Sequence, residues 1–214
     1  MSTSAKGGYH HGDLRAALLS TAMRMLESGE TFSLRAIARN AGVSPTAPYR
    51  HFPDRNALES ALAVQGFGDL EHDLTDGRDL PTSVADLAEF GVTYVDFAMR
   101  RPALFRLMFG NPCDNSDDER VRAANALHEL LEQALANVVP ESDTTALACA
   151  GWSLAHGLAF LHLDGKLPAD SPEEVADRVR SAFLAMTDIP KERAPRLKPP
   201  AARHPGQRRR GTDR

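Results

Sequence analysis

Apolar residues recur at helical spacing along most of this chain. In the first segment they lie three or four positions apart from Leu14 to Met25, and the pattern stops at Gly29. In a later segment, from Val84 to Ala98, two apolar stripes cover a wide arc, which predicts a helix buried on most of its sides. No run of alternating β-branched residues suggests a sheet. The pattern therefore predicts an all-α fold.

Capping residues and breaks in the pattern set the expected helix boundaries. Asp54 is expected to cap a longer helix, and Pro102 suits the first turn of another helix, which stops near Gly110. Residues 75–82 (TDGRDLPT) predict a linker between an N-terminal head and a larger helical body. The remaining helices are expected at about residues 117–138, 142–163 and 172–186.

The segment SLRAIARNAGVSPTAPYRHF, residues 33–52, meets the geometric demands of two short helices that cross steeply. The apolar face of the first helix includes the small residue Ala38, which lets a second helix approach closely. Gly42 supplies the positive φ that ends the first helix. Ser44 is a good N-cap and Pro45 suits the first helical position, so a second helix is expected to begin there. The pattern predicts a helix-turn-helix.

The second helix of this motif is expected to read DNA. Pro48 cannot donate the first intrahelical hydrogen bond, so the first turn is expected to be distorted. That turn presents Thr46 and Ala47 outward, where a hydroxyl can bond a base edge and a methyl group can pack on thymine. Phe52 is expected to return to the core of the head. The side chains whose polar tips can reach phosphates are Tyr49, Arg50 and His51.

Charge is distributed unevenly along the chain. The net charge is -4, but residues 1–60 carry seven Lys or Arg against five Asp or Glu, and residues 191–214 carry nine against two. Residues 61–190 therefore hold a net charge of -13. An acidic body between basic ends fits a protein that touches a polyanion through those ends. The proline-rich tail from residue 190 onward is expected to be disordered, and it either adds phosphate contacts or is a solvated end.

These motifs resemble those of the TetR family of transcriptional regulators. The family pattern apolar-Ala-x-x-Ala-Gly-Val-Ser reads IARNAGVS at residues 37–44, and the following Tyr-x-x-Phe reads YRHF at residues 49–52. The resemblance covers about residues 9–65. Residues 151–167 (GWSLAHGLAFLHLDGKL) are similar to the Trp and His-Gly signature of one class of TetR-type C-terminal domains.

The resemblance implies two domains, a tail and a homodimer. It implies a DNA-binding helix-turn-helix domain at residues 1–60, a helical ligand-binding and dimerisation domain at residues 61–189, and the basic tail at residues 190–214. The last long helices, at about residues 142–163 and 172–186, are expected to build a four-helix dimer interface. Two recognition helices one helical turn apart then read a near-palindromic operator in double-stranded DNA. The expected regulator is a repressor that a small-molecule effector releases.

The candidate site residues form two sets. The first set is expected to contact bases, sugars or phosphates, and Arg at position 55 keeps the charge of the Lys that is common in the family. The DNA-contacting candidates are Arg35, Ser44, Thr46, Ala47, Tyr49, Arg50, His51 and Arg55. The second set either lines a ligand pocket inside the body or belongs to the plain core. The pocket candidates are Phe90, Tyr94, Phe97, Phe105, Met108, Trp152 and His156.

Two other classes of protein fit the sequence less well. An enzyme needs assembled chemistry, but His128 lacks the second His of the zinc-protease motif, Lys166 lacks the residues of a P-loop, and no GxSxG nucleophile elbow occurs. The tandem His10 and His11 can bind a metal, although a surface or DNA-backbone role is expected of them. No catalytic residue, metal site or cofactor is therefore expected. A helical module that uses its helix-turn-helix for protein packing is the second alternative.

The composition favours a cytoplasmic protein with no membrane partner. No stretch is expected to reach the roughly 18 apolar residues of a membrane helix, and the N-terminal MSTSAKGGYHHGDL has no apolar core of the kind that a secretory signal requires. Cys113 and Cys149 have neither close pairing nor metal-like spacing. Both are expected to be reduced thiols.

Overall fold

The computed structural model describes residues 11–30, 32–77, 79–110 and 119–188. These residues contain no strand, so the predicted all-α class is confirmed. The α-helices are α1 (His11–Glu27), α2 (Leu34–Asn40), α3 (Arg55–Thr75), α4 (Val84–Arg100), α5 (Pro102–Gly110), α6 (Glu119–Val138), α7 (Thr144–Leu163) and α8 (Pro172–Thr187). A 3-10 helix at Ala47–Arg50 lies between α2 and α3.

Side-chain caps fix the beginnings of several helices. Ser33 Oγ accepts a hydrogen bond of 3.2 Å from the N–H three residues on, at the start of α2. Asp54 Oδ1 accepts the equivalent bond at 2.8 Å where α3 begins. Ser83 and Asp86 form a reciprocal capping box on α4, which satisfies two N–H groups that have no partner inside the helix. The predicted starts of α2 and α3 are confirmed.

Glycine at positive φ separates α2 from the 3-10 helix. Gly42 has a φ of +70°, a backbone conformation that residues with a Cβ rarely adopt. The N–H of Val43 donates a hydrogen bond of 2.9 Å to the carbonyl of Ala38, which ends α2. The predicted turn at residues 41–43 is therefore confirmed.

The N-terminal region packs α1, α2 and the start of α3 around one apolar centre. Leu18 of α1, Ile37 of α2 and Leu58 of α3 are almost fully buried. Phe52 joins them with 2% of its surface exposed, and the guanidinium of Arg15 lies 5.3 Å from its ring centre. Phe52 thus returns to the core of the head, as the sequence predicted.

The rest of the fold is organised around α4. This helix contacts both α7 and α8, and α6 in turn contacts α3 and α7. Leu87, Val95 and Ala98 are buried along α4, on a surface wide enough to face several neighbours at once. The sequence prediction that this helix is buried on most of its sides is confirmed.

Helix α3 runs continuously through the boundary predicted at residue 60. Leu62 and Leu70 lie on either side of Gly66 and are fully buried, and α3 contacts α1 as well as α5 and α6. Arg101, after α4, joins the same regions, since it bonds Glu27 of α1 at 2.6 Å and Asp69 of α3 at 2.5 Å. The division at residue 60 stays a prediction. The linker expected at residues 75–82 is the connection between α3 and α4.

Helix α7 departs from the expectation about membrane-length segments. Among the described residues it is the helix long and apolar enough to cross a membrane, with a mean hydropathy of 1.4 and 33% of the tested window buried. The expectation that no segment reaches this length was wrong. The finding is weak evidence for a membrane, because a core helix of a soluble protein meets the same length and composition.

Some of the sequence predictions fall on residues outside the described ranges. They concern the basic tail at residues 190–214, the thiol of Cys113 and the side chains of His10 and His11. Cys149 is described and is an exposed free cysteine on α7.

Candidate DNA-binding surface and effector cavity

The recognition segment, residues 44–52, is a tight turn rather than the predicted α-helix. It contains a turn at residues 45–46 and then the 3-10 helix Ala47–Arg50. Ser44 does not cap a helix: its hydroxyl lies 3.3 Å from that of Thr46, and the residue at the cap position is Thr46, which makes no side-chain capping bond. The predicted N-cap at Ser44 was therefore wrong.

Proline chemistry explains the tighter turn. Pro48 has no N–H to give to the carbonyl of Ser44, so the N–H of Ala47 bonds that carbonyl instead, at 3.0 Å. The carbonyl of Pro48 accepts 2.9 Å bonds from the N–H groups of His51 and Phe52. Pro48 is also almost fully buried, so the residue that prevents an α-helix anchors the segment to the core. The distortion expected at Pro48 is confirmed, and it extends over the whole segment.

The predicted DNA-contacting side chains lie mainly on the surface. Tyr49 exposes 46% of its area although it is aromatic and directly follows the buried Pro48. Ala47 and His51 are half-buried. The remaining candidates are exposed: Arg35, Ser44, Thr46, Arg50 and Arg55. The recognition segment thus presents hydroxyl, aromatic and guanidinium groups together.

Arg55 already has partners on its own side of the molecule. Its Nε lies 2.6 Å from Glu59 Oε1, one turn along α3, and its guanidinium lies 5.0 Å from the ring centre of Phe32. The side chain is 62% exposed. The Glu59 side chain is only 13% exposed, but the guanidinium itself is open to solvent, so an anion of high charge density can compete with Glu59 for it.

Two exposed arginines near the recognition segment were missing from the sequence prediction. Arg39 lies one turn after Arg35 on the exposed side of α2, and Arg15 lies on α1 above Phe52. The spacing of four residues between Arg35 and Arg39 was a signal that both belong to one helix face. The position of Arg15 beside residues 44–52 depends on the packing of α1, which the local sequence does not reveal.

A narrow apolar cavity of about 50 Å³ lies inside the helical body. Five helices supply its wall, and three of the predicted pocket residues, Phe90, Tyr94 and Trp152, are part of it. The other lining residues are Leu74, Leu87, Gly91, Leu127, His128, Leu130, Leu131, Gly151, Ala155 and Phe183. Among the described residues, no Lys, Arg, Asp or Glu side chain lines this cavity.

A chain of hydrogen bonds forms the polar corner of the cavity. Trp152 Nε1 donates to the Tyr94 hydroxyl at 3.2 Å, and that hydroxyl lies 2.9 Å from His156 Nδ1. Burial raises the pKa of Tyr94 and lowers the pKa of His156, so both groups are favoured in their neutral forms. A neutral imidazole protonated on Nε2 accepts the tyrosine proton at Nδ1. Two residues of the Trp and His-Gly signature therefore meet at Tyr94. Trp152 lines the cavity, whereas His156, also a pocket candidate, bonds Tyr94 and is not part of the wall.

Three predicted pocket residues lie in the packed core instead of at this wall. Phe97, Phe105 and Met108 are each at most 2% exposed. Phe105 lies behind the polar corner, with its ring centre 5.5 Å from that of Tyr94 and 5.7 Å from that of His156. Met108 occupies the space beside Gly66 of α3, where an added Cβ would lie 2.7 Å from its sulfur. These three residues therefore belong to the plain core, which was the alternative interpretation of the pocket candidates.

The sequence prediction missed the contributions of α6 and α8. His128 of α6 lines the cavity with its ring centre 5.7 Å from that of Trp152, and its Nε2 lies 3.5 Å from Glu132. Its Nδ1 is buried and has no hydrogen-bond partner among the described residues. Phe183 of α8 closes another side. Helical spacing marks Leu127 and Leu131 as one buried face, but only the packing of α6 against α7 places that face on the cavity.

Comparisons with known proteins point to one family. A family model described as "Tetracyclin repressor-like, C-terminal domain" matches residues 87–183. A solved structure of a protein with unknown function from Rhodococcus sp. RHA1 is 32% identical, with a TM-score of 0.72, and the match covers 85% of this chain and 98% of that one. A Haemophilus influenzae protein, named an uncharacterized HTH-type transcriptional regulator, is 27% identical over 123 residues. The chain belongs to the TetR family of transcriptional regulators.

Other TetR-type structures share the fold at lower identity. A tetR-family regulatory protein from Rhodococcus RHA1 is 18% identical with a TM-score of 0.59, covering 80% of this chain and 95% of that one. AibR, solved in complex with isovaleryl coenzyme A and operator DNA, is 16% identical with a TM-score of 0.57, covering 78% and 96%. The Haemophilus match spans 56% of this chain and 60% of that protein. The TetR family is a class of regulators rather than of enzymes.

Proposed function

We propose that this TetR-family chain is a sequence-specific DNA-binding repressor that a small-molecule effector releases from its operator. The course of α3 carries the proposal. This helix begins at Arg55, directly after the recognition segment, and ends beside the effector cavity, where Leu74 is part of the wall. A change of shape at the cavity can therefore reach the proposed DNA-binding surface along one continuous helix.

The exposed groups of the recognition segment support the proposed contacts with DNA. Thr46 and Ala47 are assigned to base edges, and Tyr49, Arg50 and His51 to phosphates. Because Ala47–Arg50 is only four residues long, few side chains can reach base edges at once. Phosphate geometry and the sequence-dependent shape of DNA are therefore proposed to contribute to specificity. Arg35, Ser44 and Arg55 complete the proposed surface.

The exposed face of α7 supports a homodimer. Along it lie Ala146, Ala150, Ser153, Gly157 and Leu161, spaced three or four residues apart, and all are exposed. Small side chains let a second helix approach closely, and Leu161, 43% exposed, provides apolar area. The neighbouring helix α8 adds Leu184, which is 45% exposed. We propose that α7 and α8 of two copies form a four-helix interface.

The size of the cavity implies that an effector binds a different conformation of the body. A volume of about 50 Å³ leaves room for little more than water, whereas small-molecule pockets span roughly 300–1,000 Å³. The described conformation is therefore assigned to the effector-free state, and the effector to a wider conformation of the body. A ligand that prefers the wider conformation lowers DNA affinity by its differential binding to the two states. A protein that acts on DNA in this way is expected in the cytoplasm.

Selection of bound duplexes from random DNA tests the proposal. The full chain is expected to enrich a near-palindromic sequence, and a screen of small molecules is expected to find compounds that release it. AibR, which has been solved with both a ligand and operator DNA, shares the fold on which this expectation rests. Failure to prefer any duplex over random sequence at low salt would reject the proposal and favour a helical protein-interaction module.

A further inference from the structure

A second apolar cavity, of about 40 Å³, adjoins the effector cavity. The two share four lining residues, Leu87, Leu131, Gly151 and Phe183. The second cavity extends between α4, α6, α7 and α8 toward Leu135, Val139 and Met186. Two small spaces with a common wall become one long space if that wall can move.

The ring of Phe183 is the largest side chain in the common wall. It lies against Gly91 of α4, where an added Cβ would be 2.3 Å from Cε2 of the ring. On α7, an added Cβ at Gly151 would be 3.9 Å from Cε1. The ring thus packs directly against the backbone of α4 at Gly91 and is within ordinary contact distance of α7 at Gly151. Joining the two cavities therefore requires rotation of this side chain together with the wider conformation of the body that is assigned to the effector-bound state.

The chemistry of both cavities selects an uncharged ligand. In the part of the chain that the structure describes, neither wall contains a Lys, Arg, Asp or Glu. Transfer of an unpaired carboxylate into such surroundings is strongly unfavourable, so an ionised group is excluded from the buried part of the site. Tyr94, Trp152 and His128 place hydrogen-bonding groups at one end, where the buried Nδ1 of His128 has no partner among the described residues. At the other end Thr187 lines the second cavity, but its hydroxyl already donates within α8 to the carbonyls of Phe183 and Leu184.

We propose that the effector is a neutral, elongated apolar molecule with one hydrogen-bonding end, which displaces the ring of Phe183 and occupies both cavities as a single channel. Its polar end lies beside His128 and Tyr94, and its apolar end lies toward Leu135 and Met186. This inference rests on the proposed function. The residue after Phe183, Leu184, is 45% exposed on the proposed dimer face of α8, so displacement of the ring acts next to the dimer interface.

Straight-chain primary alcohols from butan-1-ol to decan-1-ol are suitable probes, with the matching carboxylates as charged counterparts. Isothermal titration of the full chain at about pH 8, where the carboxylates are ionised, is expected to show affinity rising about fourfold for each added methylene, as burial of one methylene predicts. The rise should end at the length that fills the channel. The carboxylates are expected to bind at least about 100-fold more weakly.

Gly151→Ala tests the channel without disturbing the fold. The new methyl group meets its neighbours at 3.9 Å, an ordinary contact, and it stands at the junction of the two cavities. We expect it to weaken decan-1-ol binding about tenfold or more while butan-1-ol changes less than about threefold. Gly68→Ala on α3 is the matched control, because no atom lies within 4 Å of an added Cβ there. Phe183→Leu, which removes the ring but keeps an apolar side chain, is expected to tighten decan-1-ol binding.

Three results would overturn the channel: carboxylates that bind as tightly as alcohols, affinity that stops rising at butan-1-ol, or equal losses for short and long alcohols in Gly151→Ala. The proposed regulatory function is tested independently of the channel. Preferred DNA binding without alcohol binding would reject the channel and keep the regulator. Alcohol binding with the expected length dependence but no preferred duplex would keep the channel and reject the regulator.

Discussion

Tyr94 and His156 are joined by a hydrogen bond of 2.9 Å between the tyrosine hydroxyl and Nδ1 of the imidazole. The same hydroxyl accepts a bond from Trp152 Nε1, so one oxygen ties α4 to two positions on α7. The surroundings are apolar, and each polar atom in this chain of bonds depends on Tyr94 for its described partner. Tyr94 therefore contributes both to the stability of the protein and to the electrostatics of the cavity.

Tyr94→Phe should destabilise the protein with little change of shape. It removes a buried hydroxyl and leaves Trp152 Nε1 and His156 Nδ1 without their bonds, which costs about 1–3 kcal/mol for groups that stay buried. Chemical denaturation followed by tryptophan emission measures the loss, since Trp152 is the one Trp of the chain. Tyr49→Phe, at a position that is 46% exposed, is the control. An equal effect of both variants would contradict this account of Tyr94.

The stability of the protein should decrease in mild acid. Burial lowers the pKa of His156 below its ordinary value of 6.5, and burial together with Arg178 lowers the pKa of His162. The unfolded chain then binds protons more readily than the folded one. The two neutral histidines contribute fully to stability above about pH 6.5. This contribution is lost as the pH falls toward the lower pKa values of the folded protein. Denaturant midpoints measured between about pH 7.5 and 5 test the direction.

His156→Asn tests one of the two residues responsible. It should reduce the slope of stability against pH, and His162→Asn should also reduce it, because burial lowers the pKa of both imidazoles. If the wild type gained stability on acidification through this range, the burial argument for the two histidines would be wrong.

The helices were predictable because their signals are local. Apolar residues at helical spacing, Ser33 and Asp54 as caps, and Gly42 at positive φ each act within a few residues of the chain. The conformation after Ser44 was not predictable from the same rules. Ser44 and Pro45 favour the start of an α-helix, but burial of Pro48 and the loss of its N–H favour a 3-10 turn.

Two serines in the same motif should therefore respond differently to alanine. Ser33→Ala removes the cap of α2 and should lower the free energy of unfolding by about 1 kcal/mol. Ser44→Ala should change it by less than about 0.5 kcal/mol, because the Ser44 hydroxyl lies beside that of Thr46 and caps none of the described helices. Denaturation of the two variants side by side decides the point. If Ser44→Ala lowered the free energy of unfolding more than Ser33→Ala, the result would contradict the 3-10 conformation and favour the α-helix predicted from the sequence.

The cavity was predictable only in part, for reasons of packing. Phe90 and Phe97 are both apolar residues of α4, yet only Phe90 faces the cavity, and no local signal separates them. The role of Phe183 depends on the absence of a side chain at Gly91, which is 92 positions away in the chain. Sequence patterns identify buried faces; they do not specify which buried faces leave space between them.

The proposed dimer should depend on the small residues of α7. Ala150→Glu places a charge in the middle of the exposed apolar face and should convert the dimer into a folded monomer, as measured by sedimentation velocity. Ala85→Glu introduces the same charge on the exposed side of α4 and should leave the dimer intact. A wild-type chain that sediments as a monomer, or a dimer that tolerates glutamate at position 150, would exclude this face.

The salt dependence of DNA binding tests the central claim that residues 33–52 form a DNA-binding surface. The dissociation constant of the selected duplex should rise steeply with salt, and Arg50→Ala should reduce the logarithmic slope by about one, since one phosphate contact is lost. Lys166→Ala, at an exposed position after α7, should leave the slope unchanged. A selected duplex that binds no better than random DNA at low salt, or a slope unchanged in Arg50→Ala, would contradict the account.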